Sequence, residues 1–173
     1  MIHDYCNSLY YNLPKSQITR LQLIQNSLAR AIVKAPKSCH ITPVLRSLHW
    51  LKITERIEYK LLSLTYKVLT TNQPPYLHHL ISVQPPRSTR SSSLVTLARP
   101  PTSSSLRITD RSFRYASPCL WNQLSSSLRP PVLPVHALTT SSHSINSPLS
   151  PFITPSLFHS RLKIYLFHKS FPS

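Results

Sequence analysis

The sequence predicts a mostly α-helical protein with a small helical N-terminal bundle, Pro/Ser-rich disordered connectors and short helical C-terminal segments. Apolar residues recur at steps of three and four over residues 16–34 and 54–71, which is the spacing of one helix face. The chain contains no glycine, so the tight primed turns of β-hairpins are disfavoured. Stretches rich in proline and serine separate the helical segments and leave little to bury.

Residues 1–82 are predicted to form the helical bundle. Ser16 is a suitable N-cap for a first helix that ends before Pro36. Its apolar positions are expected to face the core: Ile18, Leu21, Ile24, Leu28 and Ile32. Thr42 and Pro43 are predicted to open a short helix.

Thr54 is the predicted N-cap of a second long helix, which ends at Asn72, and a short helix over residues 76–81 follows. The inward positions of the long helix are Ile57, Leu61, Leu64 and Val68. Without glycine, turns of positive φ fall to asparagine. The candidates are Asn12, Asn72, Asn122 and Asn146.

The rest of the chain divides into four segments. Residues 83–109 are predicted to be a basic Pro/Ser-rich linker, with one short strand as an option at residues 94–97. Residues 110–129 form a short helical module that Asp110 caps, and residues 130–155 are a second Pro/Ser-rich disordered segment. Residues 156–171 are predicted to be an amphipathic helix that presents Leu157, Phe158, Leu162, Tyr165 and Leu166.

Charge is the strongest indication of a partner. Twenty Lys and Arg residues against four acidic residues give a formal net charge of +16, which favours nucleic acid or an acidic membrane surface. No apolar run is long enough for a membrane span, and the N-terminus does not resemble a signal peptide. The expected location is therefore cytoplasmic or nuclear by default.

The same composition argues against an enzyme. Two-metal polymerase and nuclease sites need clustered carboxylates, and no Asp-Asp pair is present. Glycine-rich phosphate loops are excluded, because the chain has no glycine. Three widely spaced cysteines define neither a disulfide framework nor a zinc site. We expect no catalytic residue, metal, cofactor or small-molecule substrate.

Four short blocks resemble a known family. They are residues 4–10 (DYCNSLY), 40–43 (HITP), 48–51 (LHWL) and 120–122 (LWN). In order and approximate spacing they are similar to the region beyond the polymerase core, the thumb and its continuation, of reverse transcriptases encoded by jockey-like non-LTR retrotransposons. The resemblance runs with gaps over residues 4–129 and again over 158–171. The Tyr-x-Asp-Asp polymerase motif of this family is absent.

The resemblance implies a non-catalytic fragment of an RNA-directed DNA polymerase, without polymerase or endonuclease domains. Combined with the charge, it predicts weak, sequence-independent binding of RNA or DNA. The candidate contact residues are Arg20, Arg30, Lys34, Lys52, Lys60, Arg87 and Arg90. Two alternatives stay open: a helical module whose stripes dock a protein partner, or a translated, decayed open reading frame without function.

Two further expectations concern positions in these blocks. Trp50 and Trp121 are interpreted as core anchors rather than as stacking platforms for bases. Family members usually carry glycine where this chain has Thr109, a β-branched residue that disfavours positive φ. The module at residues 110–129 and the C-terminal helix are therefore not expected to pack firmly onto the first half.

Overall fold

A computed structural model describes residues 10–85, 94–101, 111–129 and 154–172. Most of these residues are helical, so the prediction of a mostly α-helical fold is confirmed. A 3-10 turn, Ser126–Leu128, precedes the last helix. The predicted N-cap Asp110, Asn146, Thr109 and the segment 130–153 lie outside the described residues. The helices are α1 (Lys15–Val33), α2 (Ile41–Ser47), α3 (Ile53–Thr71), α4 (Pro75–His78), α5 (Phe113–Gln123) and α6 (Pro155–Ser170).

Helix α3 is the centre of the main hydrophobic core. Its predicted inward positions Ile57, Leu61 and Val68 are buried, and Leu64 is partly buried against the same core. Seven of its 19 residues are buried, so the helix is covered on more than one side. The periodicity therefore identified the core-facing residues of α3 correctly.

Helices α5 and α6 pack against α3, so the expectation that the C-terminal modules would not pack firmly onto the first half is wrong. The Tyr66 ring on α3 stacks on Phe158 of α6 with ring centroids 3.9 Å apart. Thr65 Oγ1 and Ser117 Oγ form a buried hydrogen bond of 2.6 Å between α3 and α5. The apolar residues of α3, α5 and α6 bury one another, and this packing does not require a glycine in the turn before α5.

Residues 94–97 belong to the core rather than to a solvated linker. Val95 and Leu97 are fully buried, and Leu97 forms an antiparallel bridge with Val83. Trp121 Nε1 donates to the Val95 carbonyl at 3.0 Å. Asn122 accepts from the Leu97 amide and donates to its carbonyl, which leaves those backbone groups satisfied. Trp121 is thus the predicted core anchor, with no exposed surface.

Helices α1, α2 and α3 each begin slightly earlier in the chain than predicted. Ser16, Thr42 and Thr54 lie inside their helices rather than capping them. The residues before α1, α2 and α3 have extended backbone and make no side-chain cap. At α1 the Pro14 carbonyl accepts from the Gln17 and Ile18 amides, so backbone geometry starts the helix. Helix α6 does have a side-chain cap, since Thr154 accepts from the Leu157 amide at 3.4 Å.

Positive φ occurs at two of the predicted asparagines. Asn12 has φ of 55° and Asn72, which ends α3, has φ of 54°. Lys34 and His49 adopt similar angles; histidine, like asparagine, is enriched in this region, whereas lysine is not. Asn122 instead lies within α5. At the ends of α1 and α3 the left-handed position therefore falls on the residue after the last turn, Lys34 or Asn72, whatever its type.

The predicted apolar stripe of α1 faces the core only at its start: Ile18 packs against the main core and Leu21 is partly buried, but the later positions do not face the core. Ile24, Leu28 and Ile32 are 66%, 54% and 51% exposed, whereas Gln25 and Ala29 are buried. Gln25 Nε2 donates to the Leu51 carbonyl at 2.8 Å, so a polar side chain fixes this helix on the bundle. The orientation of α1 therefore follows this hydrogen bond to the loop before α3 and not the spacing of its apolar residues.

Among the helices within the described ranges, none combines the length and the apolar character that crossing a bilayer requires.

Candidate nucleic-acid interface

A second, smaller core joins the end of α1, helix α2 and the end of α6. Its buried residues are Ala29, Val44, Leu45 and Phe171. Trp50 is partly buried against this cluster, which supports the interpretation of Trp50 as a packing residue. Basic residues lie on or beside the segments that form this cluster, and we call this part of the molecule the basic end: Arg30, Lys34, Arg46 and Lys52.

Two cations of the basic end share one aromatic ring. Arg46 Cζ lies 5.5 Å from the Phe171 ring centroid, and Lys52 Nζ lies 5.2 Å from it. The two charges are therefore no farther apart than the sum of these distances. Each gains attraction to the ring, but they repel one another. An anion placed beside both would relieve that repulsion.

Arg46 and Arg30 also bond to backbone carbonyls. Arg46 Nη2 donates to the Phe171 carbonyl at 3.2 Å, next to the end of α6. Arg30, in the last turn of α1, donates from Nη2 to the Cys39 carbonyl at 3.2 Å. Cations are stabilised near the C-terminus of a helix, so these two residues have structural roles. They remain positively charged toward solvent, because a carbonyl does not neutralise them.

The other predicted contact residues are spread over two helices. Arg20 and Lys34 are exposed on α1 and just after it, and Lys60 is partly exposed on α3. Arg20 precedes Lys34 by about 20 Å along the helix axis, from the rise per residue. Arg87 and Arg90 lie outside the described residues. The structure thus brings Arg30, Lys34 and Lys52 to the basic end and leaves Arg20 and Lys60 apart from it.

Few negative charges offset these cations. Within residues 10–85, 94–101, 111–129 and 154–172, the acidic residues are Glu55 and Glu58, and Glu58 forms an ion pair with Lys169 Nζ at 2.7 Å. Glu55 Oε2 is buried without a hydrogen-bond partner. The surface of the described part is therefore strongly positive, which attracts polyanions over several ångströms.

An open cleft of about 340 Å³ lies between α3 and the segment before α1. Tyr10, Tyr11, Lys15 and Glu58 are among its lining residues. Tyr11 is held by a weak hydrogen bond from its hydroxyl to Cys119 Sγ at 3.7 Å, and burial together with that bond raises the Tyr11 pKa. Tyr10 is 43% exposed. A ring so placed can stack on an unpaired base.

Ser63 and His159 form the contact closest to a nucleophile–base pair. Ser63 Oγ lies 3.1 Å from His159 Nδ1. The imidazole packs near the rings of Tyr59, Tyr66 and Phe158, and its burial lowers the His159 pKa. No acidic side chain in the described ranges hydrogen-bonds to His159, so the third, orienting group of a catalytic triad is not found there. The pair is best explained as packing between α3 and α6.

In the described ranges, no group of three or more His, Cys, Asp or Glu side chains is placed so that it could hold a metal ion. Cys39 and Cys119 are free thiols. Comparison of the chain with protein-family models, curated proteins and solved structures finds no match. Its charge and geometry therefore carry the functional argument.

Sequence reasoning missed Arg46. The residue was within a helix that the sequence predicted, but its partner Phe171 is 125 positions later. Periodicity within either segment says nothing about a contact between them. Charge alone would have included Arg46 among many other basic residues.

Proposed function

We propose that this protein is a non-catalytic helical module that binds RNA or DNA weakly and without sequence preference. The contacts are phosphate contacts through the residues identified from sequence (Arg20, Arg30, Lys34, Lys52, Lys60, Arg87 and Arg90), to which Arg46 is added. The resemblance to the post-palm region of non-LTR reverse transcriptases is in keeping with this role. It remains part of the proposal.

One observation carries the proposal: Arg46 and Lys52 hold two positive charges on one ring while the described acids neutralise neither. Phosphates recur along a nucleic-acid strand, so neighbouring phosphates can contact both cations and, farther along, Lys34 and Arg20. Such binding releases counterions and weakens steeply with salt. It carries no base specificity, because phosphate contacts do not distinguish sequences.

The test measures the affinity of the full chain for fluorescein-labelled single-stranded RNA at several salt concentrations by fluorescence anisotropy. We expect the logarithm of the association constant to fall linearly with the logarithm of salt, by about 0.7 per phosphate contacted. Two RNAs of the same length and different sequence should bind equally.

The matched variants remove two charges each. Arg46→Gln with Lys52→Gln should reduce the salt slope by roughly one to two phosphate contacts. Lys67→Gln with Arg114→Gln removes the same charge from exposed positions on α3 and α5 and should change the slope less. Circular dichroism checks that each variant is folded. A salt-independent affinity, or equal losses in the two variants, would contradict the proposal at this end of the molecule.

A further inference from the structure

The exposed face of α1 has an unusual composition for a solvated surface. Ile24, Leu28 and Ile32 are each more than half exposed and follow one another at four-residue steps, so they form one stripe along the helix. Leu21 is partly buried at the same side. We call Leu21, Ile24, Leu28 and Ile32 the α1 stripe.

The outward position of the α1 stripe follows from defined polar contacts that α1 makes with residues 51–53. Gln25 Nε2 donates to the Leu51 carbonyl, and Gln22 Oε1 accepts from the Ile53 amide at 2.9 Å. Both bonds fix the rotation of α1 about its axis. Turning the stripe inward would break them and bury polar groups without partners. The apolar face is therefore held outward.

Charge around the stripe indicates what covers it. Helix α1 contains no acidic residue, and Arg20 and Lys34 lie near the two ends of the stripe. Glu58 is on α3 and already paired with Lys169. A covering surface that places carboxylates beside Arg20 and Lys34 would complement this charge, and aliphatic side chains would fill the row between them.

From these observations we propose that the α1 stripe docks one amphipathic α-helix of a partner protein, whose apolar stripe is flanked by Glu or Asp. Ile24 to Ile32 spans about 12 Å along the axis, which matches two to three turns of a helix. The pattern of anchors at four-residue steps is the pattern by which helices recognise one another.

Two other occupants fit less well. A second copy of this chain would bring an equally basic helix against α1, and like charges facing one another oppose association. An acidic bilayer favours helices with aromatic and basic residues around a broad apolar face. The exposed apolar residues of α1 are all aliphatic, and the exposed aromatic residues Tyr10, Tyr76 and Tyr165 lie on other segments.

The experiment uses the full chain and a labelled synthetic helical peptide with a leucine stripe and flanking glutamates. A second peptide has every leucine replaced by alanine and the same charge. Fluorescence anisotropy should show saturable one-to-one binding of the leucine peptide, with affinity at least about tenfold above that of the alanine peptide. Equal affinities would mean charge attraction alone and would overturn the proposal.

Variants locate the site. Ile24→Ser with Leu28→Ser should weaken binding of the leucine peptide at least about tenfold while leaving RNA affinity unchanged. Leu157→Ser with Ile164→Ser makes the same changes at exposed positions of α6 and should have no effect. Because the replaced residues are exposed, all variants should stay folded by circular dichroism. Undiminished binding in the Ile24/Leu28 variant would refute the site.

The charge part of the proposal has its own test. Arg20→Glu with Lys34→Glu should weaken the glutamate-flanked peptide and strengthen a lysine-flanked peptide with the same leucine stripe. Sedimentation velocity and anionic-vesicle flotation examine the other occupants. Self-association or vesicle binding that Ile24→Ser with Leu28→Ser abolishes would assign the stripe to a second copy or to a lipid surface, and would replace the proposal.

Discussion

Helices α1 and α3 have the same length, and the sequence predicts both by the same apolar spacing, yet they occupy different environments. Each has 19 residues, but α3 buries seven of them and α1 buries two. The residues that α1 buries are Gln25 and Ala29 rather than its leucines and isoleucines. Periodicity therefore shows that a helix has an apolar face without showing that the face is covered.

The difference arises from what surrounds each helix. Helix α3 is covered by α5, α6 and the segment 94–97, all of which contribute to the main core. Helix α1 contacts the bundle along one edge, where Gln25 donates to the Leu51 carbonyl and Gln22 accepts from the Ile53 amide at the start of α3. Apolar contacts hold α3 in place, whereas directional polar contacts set the orientation of α1.

The sharpest test of this difference compares one leucine from each helix. Leu61→Ala on α3 should lower the free energy of unfolding by about 2–5 kcal/mol, because it leaves a cavity in the core. Leu28→Ala on α1 should change it by less than about 0.5 kcal/mol, since that side chain is already in water. Urea denaturation measures both. A large loss for Leu28→Ala would show that α1 is covered in the free protein.

A second comparison uses threonine. Thr65→Val on α3 removes the hydrogen-bond partner of the buried Ser117 hydroxyl, so we expect a loss of about 1–3 kcal/mol. Thr19 on α1 bonds to the Lys15 carbonyl in an exposed position, and Thr19→Val should cost about 0.5 kcal/mol or less.

The double variant of the buried pair separates the hydrogen bond from packing. Thr65→Val with Ser117→Ala removes both polar partners and should be more stable than Thr65→Val alone. Thermal or urea unfolding of the four proteins completes the cycle. If the double variant is the least stable, cavity formation rather than an unsatisfied hydroxyl accounts for the effect.

The smallest expected effect is a pH dependence of stability, and it comes from His159, at the contact between α6 and α3. Burial lowers the His159 pKa below its usual value near 6.5, so the folded protein binds a proton there less readily than the unfolded chain does. The contribution of His159 is therefore complete above about pH 6.5 and is lost as the pH falls below it toward the folded-state pKa.

The measurement is the melting temperature between pH 8 and 5 at constant salt. Wild type should lose more stability on acidification than His159→Gln, whose amide can still hydrogen-bond to Ser63. His168→Gln alters an exposed histidine of the same helix and should follow wild type. An identical pH dependence for all three proteins would show that His159 does not contribute to the loss of stability at low pH.

Local features of the fold were predictable from the sequence, and long-range ones were not. The apolar spacing located α3 and its inward residues, and Asn72 was correctly expected where the chain turns after it. The orientation of α1 depends on Gln25 reaching Leu51, and the burial of Val95 depends on Trp121. Each of those contacts joins segments that sequence spacing treats separately.

The candidate site shows the same division. Composition predicted a basic surface, and the structure places Lys52 over the Phe171 ring and Arg30 on the Cys39 carbonyl at the basic end. The pairing of Arg46 and Lys52 on Phe171 required the end of α6 to return to α2. No local pattern marks Phe171 as the residue that brings these two cations together.

Helix α6 is synthesised after the helices that it packs against, and this order affects the nascent chain. Phe158, Leu162 and Leu166 are fully buried, and Phe171 closes the smaller core. While the ribosome is still adding those residues, the apolar side of α3 that they cover stays open to water. Until α6 has been synthesised, the nascent chain therefore exposes apolar surface that favours aggregation, and a chain terminated before residue 158 should aggregate or be degraded.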